Sequence, residues 1–203
     1  PASNSKLKDV IAKAKANNVP NDNIERIIKK AAGEDSDKKY EEIVYEGYGP
    51  KGIAVIVEAL TDNRNRTAGD VRHYFDKYGG NMGQSGSVSF MFTKQGVIIL
   101  EQEGIDEEKL MEDALEAGAT DFLTDDGIYE IRTDPYDCGA VSSALADKGY
   151  TFLSADVAYI PSNYVALTDP DDITAMGKML EMFEDNDDIQ GVWHNWENAD
   201  DAE

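Results

Sequence analysis

The chain has 203 residues, 41% of them hydrophobic, and a formal net charge of −22 at pH 7. This length suits two domains or one domain with attachments, and the apolar content suffices for a sizeable core. Residues 53–57 form the longest clean apolar run, far shorter than the roughly 20 residues that span a bilayer, and no basic-then-apolar signal opens the chain. The sequence therefore argues against membrane and secreted proteins. The single cysteine, Cys138, cannot form an internal disulfide and fits the reducing cytoplasm, where we expect the protein to act.

Charge is divided unequally along the chain. Residues 1–80 carry a net charge of +1, whereas residues 81–203 carry −23. Within residues 1–30 seven bases outnumber three acids, and these bases are Lys6, Lys8, Lys13, Lys15, Arg26, Lys29 and Lys30. Because the acidic C-terminal part repels polyanions, we expect any polyanion to bind the N-terminal part through these residues. The alternative is a solvated surface with a chance imbalance of charge.

Apolar residues at helical spacing predict two helices in the first 33 residues. The stripe of the first helix is Leu7, Val10, Ile11 and Ala14, and that of the second is Ile24, Ile27, Ile28 and Ala31. Asn17 to Pro20 separate the two helices, and Gly33 ends the second. We therefore expect a helical N-terminal domain over residues 1–35.

Residues 36–94 and 164–203 are expected to form a central α/β domain. Alternating and apolar runs predict strands at 43–46, 53–60, 88–92 and 189–196. Helices are predicted at 67–78, beginning at a capping box of Thr67 and Asp70, and at 171–183. The strands before residue 95 and the helix and strand after residue 163 can then complete one sheet.

Residues 95–163 are expected to form an inserted domain. Strands at 97–101, 121–124, 128–132 and 152–160 and helices at 106–117 and 135–148 give the order βαββαβ. Ala114-Leu115, Gly118 and Phe122 recur thirty residues later as Ala144-Leu145, Gly149 and Phe152. Two such halves predict a ferredoxin-like unit. The fold class is then α+β, a helical segment followed by two α/β sandwich-type domains, the last inserted in the second.

The sequence contains no convincing catalytic or metal-binding motif. Residues 47–52 match G-x-G-x-x-G, but they join two strands instead of opening a helix. His73 and His194 lie far apart, and Cys138 is best interpreted as a buried, inert thiol. The acidic run 184–188 does not fit the spacing of a calcium loop. We therefore expect neither an enzyme nor a cofactor.

The most concentrated polar segment is Thr61-Asp62-Asn63-Arg64-Asn65-Arg66-Thr67, between a buried strand and a helix. Arginine forks and backbone N–H groups at such a junction suit phosphate or carboxylate groups. The candidate nucleic-acid-binding residues here are therefore Arg64, Arg66 and, in the following helix, Arg72. The structural alternative is that Asp62 pairs with Arg64 or Arg66 while the asparagines form turns.

Acidic residues crowd the C-terminal end of the predicted helix 171–183. Glu184, Asp185, Asp187 and Asp188 lie there, and Lys178 alone is near in sequence to compensate them. The helix dipole disfavours anions at this end, so stability does not explain the cluster. We expect Asp185, Asp187 and Asp188 to contact a basic protein partner or to shield that side from nucleic acid. The alternative is a solvated helix end that aids solubility.

Several motifs together resemble the YebC/PmpR family. They are Glu46-Gly47-Tyr48-Gly49-Pro50, the segment 61–67, Val71-Arg72-His73, Gly79-Gly80-Asn81, Gly86-Ser87-Val88, Ile160-Pro161-Ser162 and His194-Asn195. The family includes bacterial proteins described as transcriptional regulators and the mitochondrial translational activator of cytochrome c oxidase. The resemblance covers nearly the whole chain and implies three domains. It also implies a further basic stretch before Pro1, so we expect this chain to be a shortened form.

The resemblance implies a DNA-binding transcriptional regulator. The alternative that it implies is a ribosome-associated translation factor that binds ribosomal RNA and proteins and relieves stalling at proline-rich sequences. No helix-turn-helix or zinc-finger pattern is visible, so the sequence does not indicate direct readout of bases. The sequence does not indicate the oligomeric state.

Overall fold

A computed structural model describes residues 20–31, 39–125 and 127–199, together with residues 7, 10, 11, 14 and 15. By its contacts the chain divides into two units, residues 1–40 and 41–203. In the first unit, the described residues between 7 and 15 are helical, and helix α1 spans Asn21–Ala31. Ile24 of α1 is buried, as its place on the apolar stripe predicts.

The second unit contains the strands and the remaining long helices of the described chain. Its strands are β1 (Glu41–Tyr48), β2 (Ala54–Thr61), β3 (Asn81–Met82), β4 (Phe92–Glu101), β5 (Asp121–Asp125), β6 (Ile128–Thr133), β7 (Ser154–Pro161) and β8 (Ile189–His194). Its helices are α2 (Arg64–Lys77), α3 (Glu107–Ala117), α4 (Cys138–Asp147) and α5 (Pro170–Glu184). No helix of the described residues is long and apolar enough to cross a membrane.

The first sheet has the antiparallel order β3-β1-β2-β8. Val55 and Val57 of β2 point to one face, where they form a core with Phe75 of α2 and with Met179 and Phe183 of α5. These five side chains are fully buried. The last strand therefore completes the sheet begun by the first two, as the sequence predicts.

The second sheet has the order β5-β6-β4-β7, again antiparallel. Together with α3 and α4 it forms a βαββαβ unit whose sheet order is that of a ferredoxin-like fold. Ile98, Leu110, Ile131 and Leu145 lie in its core and are fully buried. The α+β fold class and the ferredoxin-like unit are confirmed. Strand β4 runs continuously through position 95. The domain boundary expected between residues 94 and 95 stays a prediction.

The predicted strand 88–92 is wrong. Residues Ser89–Met91 form a 3-10 turn, and the strand begins at Phe92 and continues to Glu101. The backbone N–H groups of Val88 and Ser89 donate to the carboxylate of Glu46 and are therefore not available for a strand ladder.

A small apolar cluster and an ion pair join the two sheets. Ile56 of β2 and Phe92 of β4 lie in this cluster, against the partly buried Tyr159 and Trp193. Lys94 Nζ lies 2.7 Å from Glu58 Oε1, and the Tyr159 hydroxyl donates to the same oxygen at 3.0 Å. Residues of β2, β4, β7 and β8 therefore hold the ferredoxin-like unit on the face of the first sheet that is turned away from α2.

Candidate nucleic-acid interface

Helix α1 presents cations on the side opposite its apolar stripe. At 100° per residue, Arg26 and Lys29 project away from Ile24 and Ile28. Arg26 and Lys29 are exposed, as is Lys15 in the preceding helical segment. Long cationic side chains on a helix suit a phosphate backbone, because their charge reaches it without a fixed geometry.

The remaining basic candidates of this unit are described only in part. Lys6, Lys8 and Lys13 lie outside the described residues. The backbone of Lys30 is helical, while its side chain lies outside the description. The bases of this unit whose side chains the structure describes are therefore Lys15, Arg26 and Lys29, each of them exposed.

The polar segment after β2 opens helix α2. Asn63 is the N-cap, and its side-chain oxygen accepts the backbone N–H of Arg66 at 3.1 Å. The predicted capping box of Thr67 and Asp70 is wrong, because the helix begins one turn earlier, at Arg64. Thr67 instead lies within the first turns of the helix and is fully buried. Its hydroxyl lies 2.8 Å from that of Thr61.

Arg66 and Asp188 join two segments that are far apart in the sequence. Arg66 Nη2 donates to both carboxylate oxygens of Asp188, at 2.8 and 3.0 Å, and to Asp62 at 3.0 Å. The Thr67 hydroxyl donates to Asp188 at 2.6 Å, and that of Thr61 at 3.2 Å. Burial would raise the pKa of Asp188, but these hydrogen bonds outweigh it and lower the pKa. The alternative, in which Asp62 pairs with Arg66, is what the structure shows, and Arg66 also joins α2 to the segment before β8.

Arg64 and Arg72 differ from Arg66 in their surroundings. Both side chains are exposed, and within the described residues neither makes an ion pair or a hydrogen bond. Arg64 lies at the first position of α2, where the helix dipole also favours anions. These two arginines keep their charge available for an external phosphate.

The acidic cluster also divides into two kinds of residue. Asp185 and Asp187 are exposed and pair with no cation among the described residues, whereas Asp188 is committed to Arg66, Thr61 and Thr67. Asp188 therefore has an internal cationic partner besides the Lys178 that is near it in sequence. Its partner Arg66 lies 122 residues earlier, so sequence neighbours could not show it. Asp185, Asp187, Asp70 and Tyr74 line a shallow depression of about 350 Å³ beside this pair.

Glu46 is an important residue that the sequence reasoning did not identify. Its carboxylate is 6% exposed and accepts the backbone N–H groups of Gly86, Val88 and Ser89, each at 2.8 Å. Gly86 has φ of +88°, a conformation that favours glycine. Burial would raise the pKa of Glu46, but the three N–H donors outweigh it and lower the pKa. Glu46 and Gly86 stand in two separate motifs 40 residues apart, so no local signal shows that they meet.

The late motif His194-Asn195 closes the first sheet. The Asn195 side chain accepts the backbone N–H of Ala54 at 2.8 Å, and His194 Nδ1 accepts that of Trp196 at 3.3 Å. Burial lowers the pKa of His194. Cys138 is buried, as expected, and its thiol donates to the carbonyl of Asp156 at 3.6 Å. These side chains support the architecture of the second unit.

Comparison with known proteins places the chain among relatives along almost its whole length. Residues 1–34 match the family model described as the TACO1/YebC protein N-terminal domain, and residues 40–196 match that of the TACO1/YebC second and third domain. A probable transcriptional regulatory protein of Finegoldia magna is 57% identical over 98% of this chain and 82% of its own length. One of Ruminiclostridium cellulolyticum is 60% identical over 100% of this chain and 82% of its own.

A solved structure resembles the whole chain as well. It is the crystal structure of a conserved hypothetical protein from Aquifex aeolicus, with 41% sequence identity and a TM-score of 0.84. The match covers 97% of this chain and 81% of that one. The similarity therefore includes the order and packing of the elements as well as the motifs.

Proposed function

The chain belongs to the TACO1/YebC family, and on that premise we propose that it is a nucleic-acid-binding regulator of gene expression, in the first place a DNA-binding transcriptional regulator. Its curated relatives carry the name probable transcriptional regulatory protein. In this proposal the protein acts by binding and needs no cofactor.

The observation that carries the proposal is the set of exposed cations in the first unit, Arg26 and Lys29 on α1 and Lys15 in the preceding helical segment, which lie beside the exposed acids Asp22 and Glu25 of α1. The rest of the chain is strongly acidic, since residues 81–203 carry a net charge of −23. A polyanion is attracted to the cations of the first unit and repelled by the acidic residues 81–203. Arg64 and Arg72 supply further exposed cations in the second unit. Such contacts bind the phosphate backbone and carry no sequence information by themselves.

Binding through these cations predicts a strong salt response. The double variant Arg26→Ala, Lys29→Ala should bind duplex DNA more weakly, and the slope of log K against log salt should shrink by about 0.9 for each lost phosphate contact. Fluorescence anisotropy with a promoter fragment between about 50 and 200 mM salt measures both quantities.

Lys109→Ala, Lys178→Ala is the matched control, because it removes two exposed cations from the second unit. We expect it to leave the slope unchanged. Equal slopes for wild type and the α1 variant would contradict the proposed interface.

A ribosome-associated translation factor is the second candidate. Asp185 and Asp187 favour it, because exposed carboxylates without a cation among the described residues suit a basic ribosomal protein. The cations of α1 would then bind ribosomal RNA through the same phosphate chemistry. Sedimentation with ribosomes and binding to a promoter fragment, compared in one buffer, distinguish the two candidates.

The second candidate makes its own prediction at Asp185 and Asp187. Replacing both with Asn should stabilise the chain slightly, because it removes anions from the C-terminal end of α5. The same variant should sediment less with ribosomes if the two residues contact a basic protein. Glu41→Gln, Glu42→Gln removes two exposed acids elsewhere and serves as the control. Unchanged sedimentation would show that these aspartates only solvate the helix end.

A further inference from the structure

Two long uncharged stretches stand out in this highly charged chain. Residues 78–93 and 157–168 contain no Asp, Glu, Lys or Arg, although 30% of the chain is charged. They are the longest such stretches, with 16 and 12 residues. A net charge of −22 makes most of the surface repel anions, so an uncharged stretch is where a nucleic acid meets the least repulsion outside the basic residues.

The fold brings these two stretches together. Ser162 donates to the Met91 carbonyl through both its backbone N–H, at 2.8 Å, and its hydroxyl, at 3.0 Å. The adjoining strands β4 and β7 pair Phe92 with Pro161. Segments more than sixty residues apart therefore meet at Met91 and Ser162.

Each stretch exposes one large aromatic side chain next to this contact. Phe90 precedes Met91 and is 75% exposed, and Tyr164 follows Ser162 by two residues and is 56% exposed. Exposed amides and hydroxyls accompany them, namely those of Gln84, Ser85, Ser89 and Asn163. We call these six residues the uncharged face. An aromatic ring left this exposed contributes little to the core, so Phe90 has no evident role in stability.

The loop that carries Phe90 is held firmly from below. Three backbone N–H groups between residues 86 and 89 donate to Glu46, and the Tyr48 hydroxyl donates to the Ser87 carbonyl at 2.9 Å. The side chain of Val88 is fully buried beneath the loop. A ring presented by a fixed backbone loses little entropy when a ligand binds.

From these observations we infer that the uncharged face binds unpaired nucleobases, with Phe90 as a stacking platform. The bases of a single strand are neutral and stack on aromatic rings, and amide side chains can hydrogen bond to their edges. The inference rests on the proposed function for the class of ligand. It adds a second surface, which binds bases, whereas the exposed cations of α1 bind phosphates.

The test compares Phe90→Ala with wild type in binding an unpaired RNA and an unpaired DNA, each of about 12 nucleotides, and a duplex. We expect Phe90→Ala to lose about tenfold in affinity for the unpaired strands, with the salt slope unchanged, because the lost contact is stacking rather than charge. Affinity for the duplex should stay the same. Phe90→Tyr keeps an aromatic ring and should retain most of the binding.

Tyr136→Ala is the matched control, because Tyr136 is an aromatic residue that is 95% exposed at a distance in sequence from both stretches. We expect it to bind as wild type does. Since Phe90 is also largely exposed, both variants should keep the melting temperature of wild type, which shows that they fold.

The outcomes separate this inference from the proposed function. If Phe90→Ala binds unpaired strands as tightly as wild type while the α1 variant loses binding, the uncharged face is not a base-binding surface and the proposed function stands. If Phe90→Ala loses only its sedimentation with ribosomes, the face contacts a protein and the inference is wrong. If wild type binds no nucleic acid under any condition, both fail.

Discussion

Replacing Asp188 with alanine is expected to lower the free energy of unfolding by about 3 kcal/mol and the melting temperature by about 6–12 °C. The carboxylate accepts hydrogen bonds from Arg66, Thr61 and Thr67, and the two threonines are almost completely buried. Its removal leaves those donors without their charged acceptor and separates the start of β8 from the start of α2. Thermal denaturation followed by circular dichroism measures the effect.

Arg64→Ala and Arg66→Ala provide the matched comparison. Arg66→Ala should lower the melting temperature, because it leaves Asp62 and Asp188 without their shared cation. Arg64→Ala should not, since Arg64 is exposed and makes no ion pair within the described residues. The effects on nucleic-acid binding should be the reverse. Arg64→Ala should lose affinity while it keeps its melting temperature. Equal loss of stability in the two variants would contradict this division of roles.

Glu46→Gln is expected to destabilise the second unit by about 2–4 kcal/mol. The buried carboxylate accepts three backbone N–H groups, and an amide offers one oxygen and an NH₂ group that opposes the donors. Loss of these bonds frees the backbone of the loop between residues 86 and 89. Chemical denaturation gives the free energy of unfolding, and faster amide exchange at Gly86, Val88 and Ser89 locates the change.

The same residue predicts how stability depends on pH. The pKa of Glu46 is lower in the folded chain than its ordinary value of 4.5, so the unfolded chain binds its proton first as the pH falls. Its contribution is therefore complete above pH 4.5 and is lost as the pH falls through the folded pKa. Glu46→Gln should remove this part of the acid sensitivity, while the exposed control Glu42→Gln should retain it. Identical acid profiles for Glu46→Gln and wild type would refute this role.

The α+β architecture follows from local patterns in the sequence. Helical stripes, glycine stops and strand periods predict the βαββαβ order, and the observed order β5-β6-β4-β7 confirms it. The errors arise where a side chain far away in sequence determines the local backbone. Residues 88 and 89 have a strand-like composition but bind Glu46 across more than 40 positions. Thr67 and Asp70 have the spacing of a capping box, yet Asn63 is the N-cap, one turn earlier.

The candidate site was predictable in its charges and not in its pairings. Composition identifies the basic residues of the first unit and the acidic end of α5, because those are local properties. It cannot tell which of two neighbouring arginines is paired internally, since Asp188 lies 122 residues from Arg66. The Glu46 contacts were hidden for the same reason. Long-range hydrogen bonds therefore decide which of the candidate residues remain available for a ligand.

The position of β8 in the first sheet has a consequence for how the chain folds during synthesis. The first sheet closes only when Asn195 reaches Ala54, which is 141 residues earlier. The segments that form the second sheet lie between residues 92 and 161, so they leave the ribosome before β8 does. The ferredoxin-like unit can therefore fold on the nascent chain while β2, with its fully buried residues 54–57, still lacks its neighbour. During that interval β2 is an open apolar edge, which makes the nascent chain prone to aggregation until its last strand arrives.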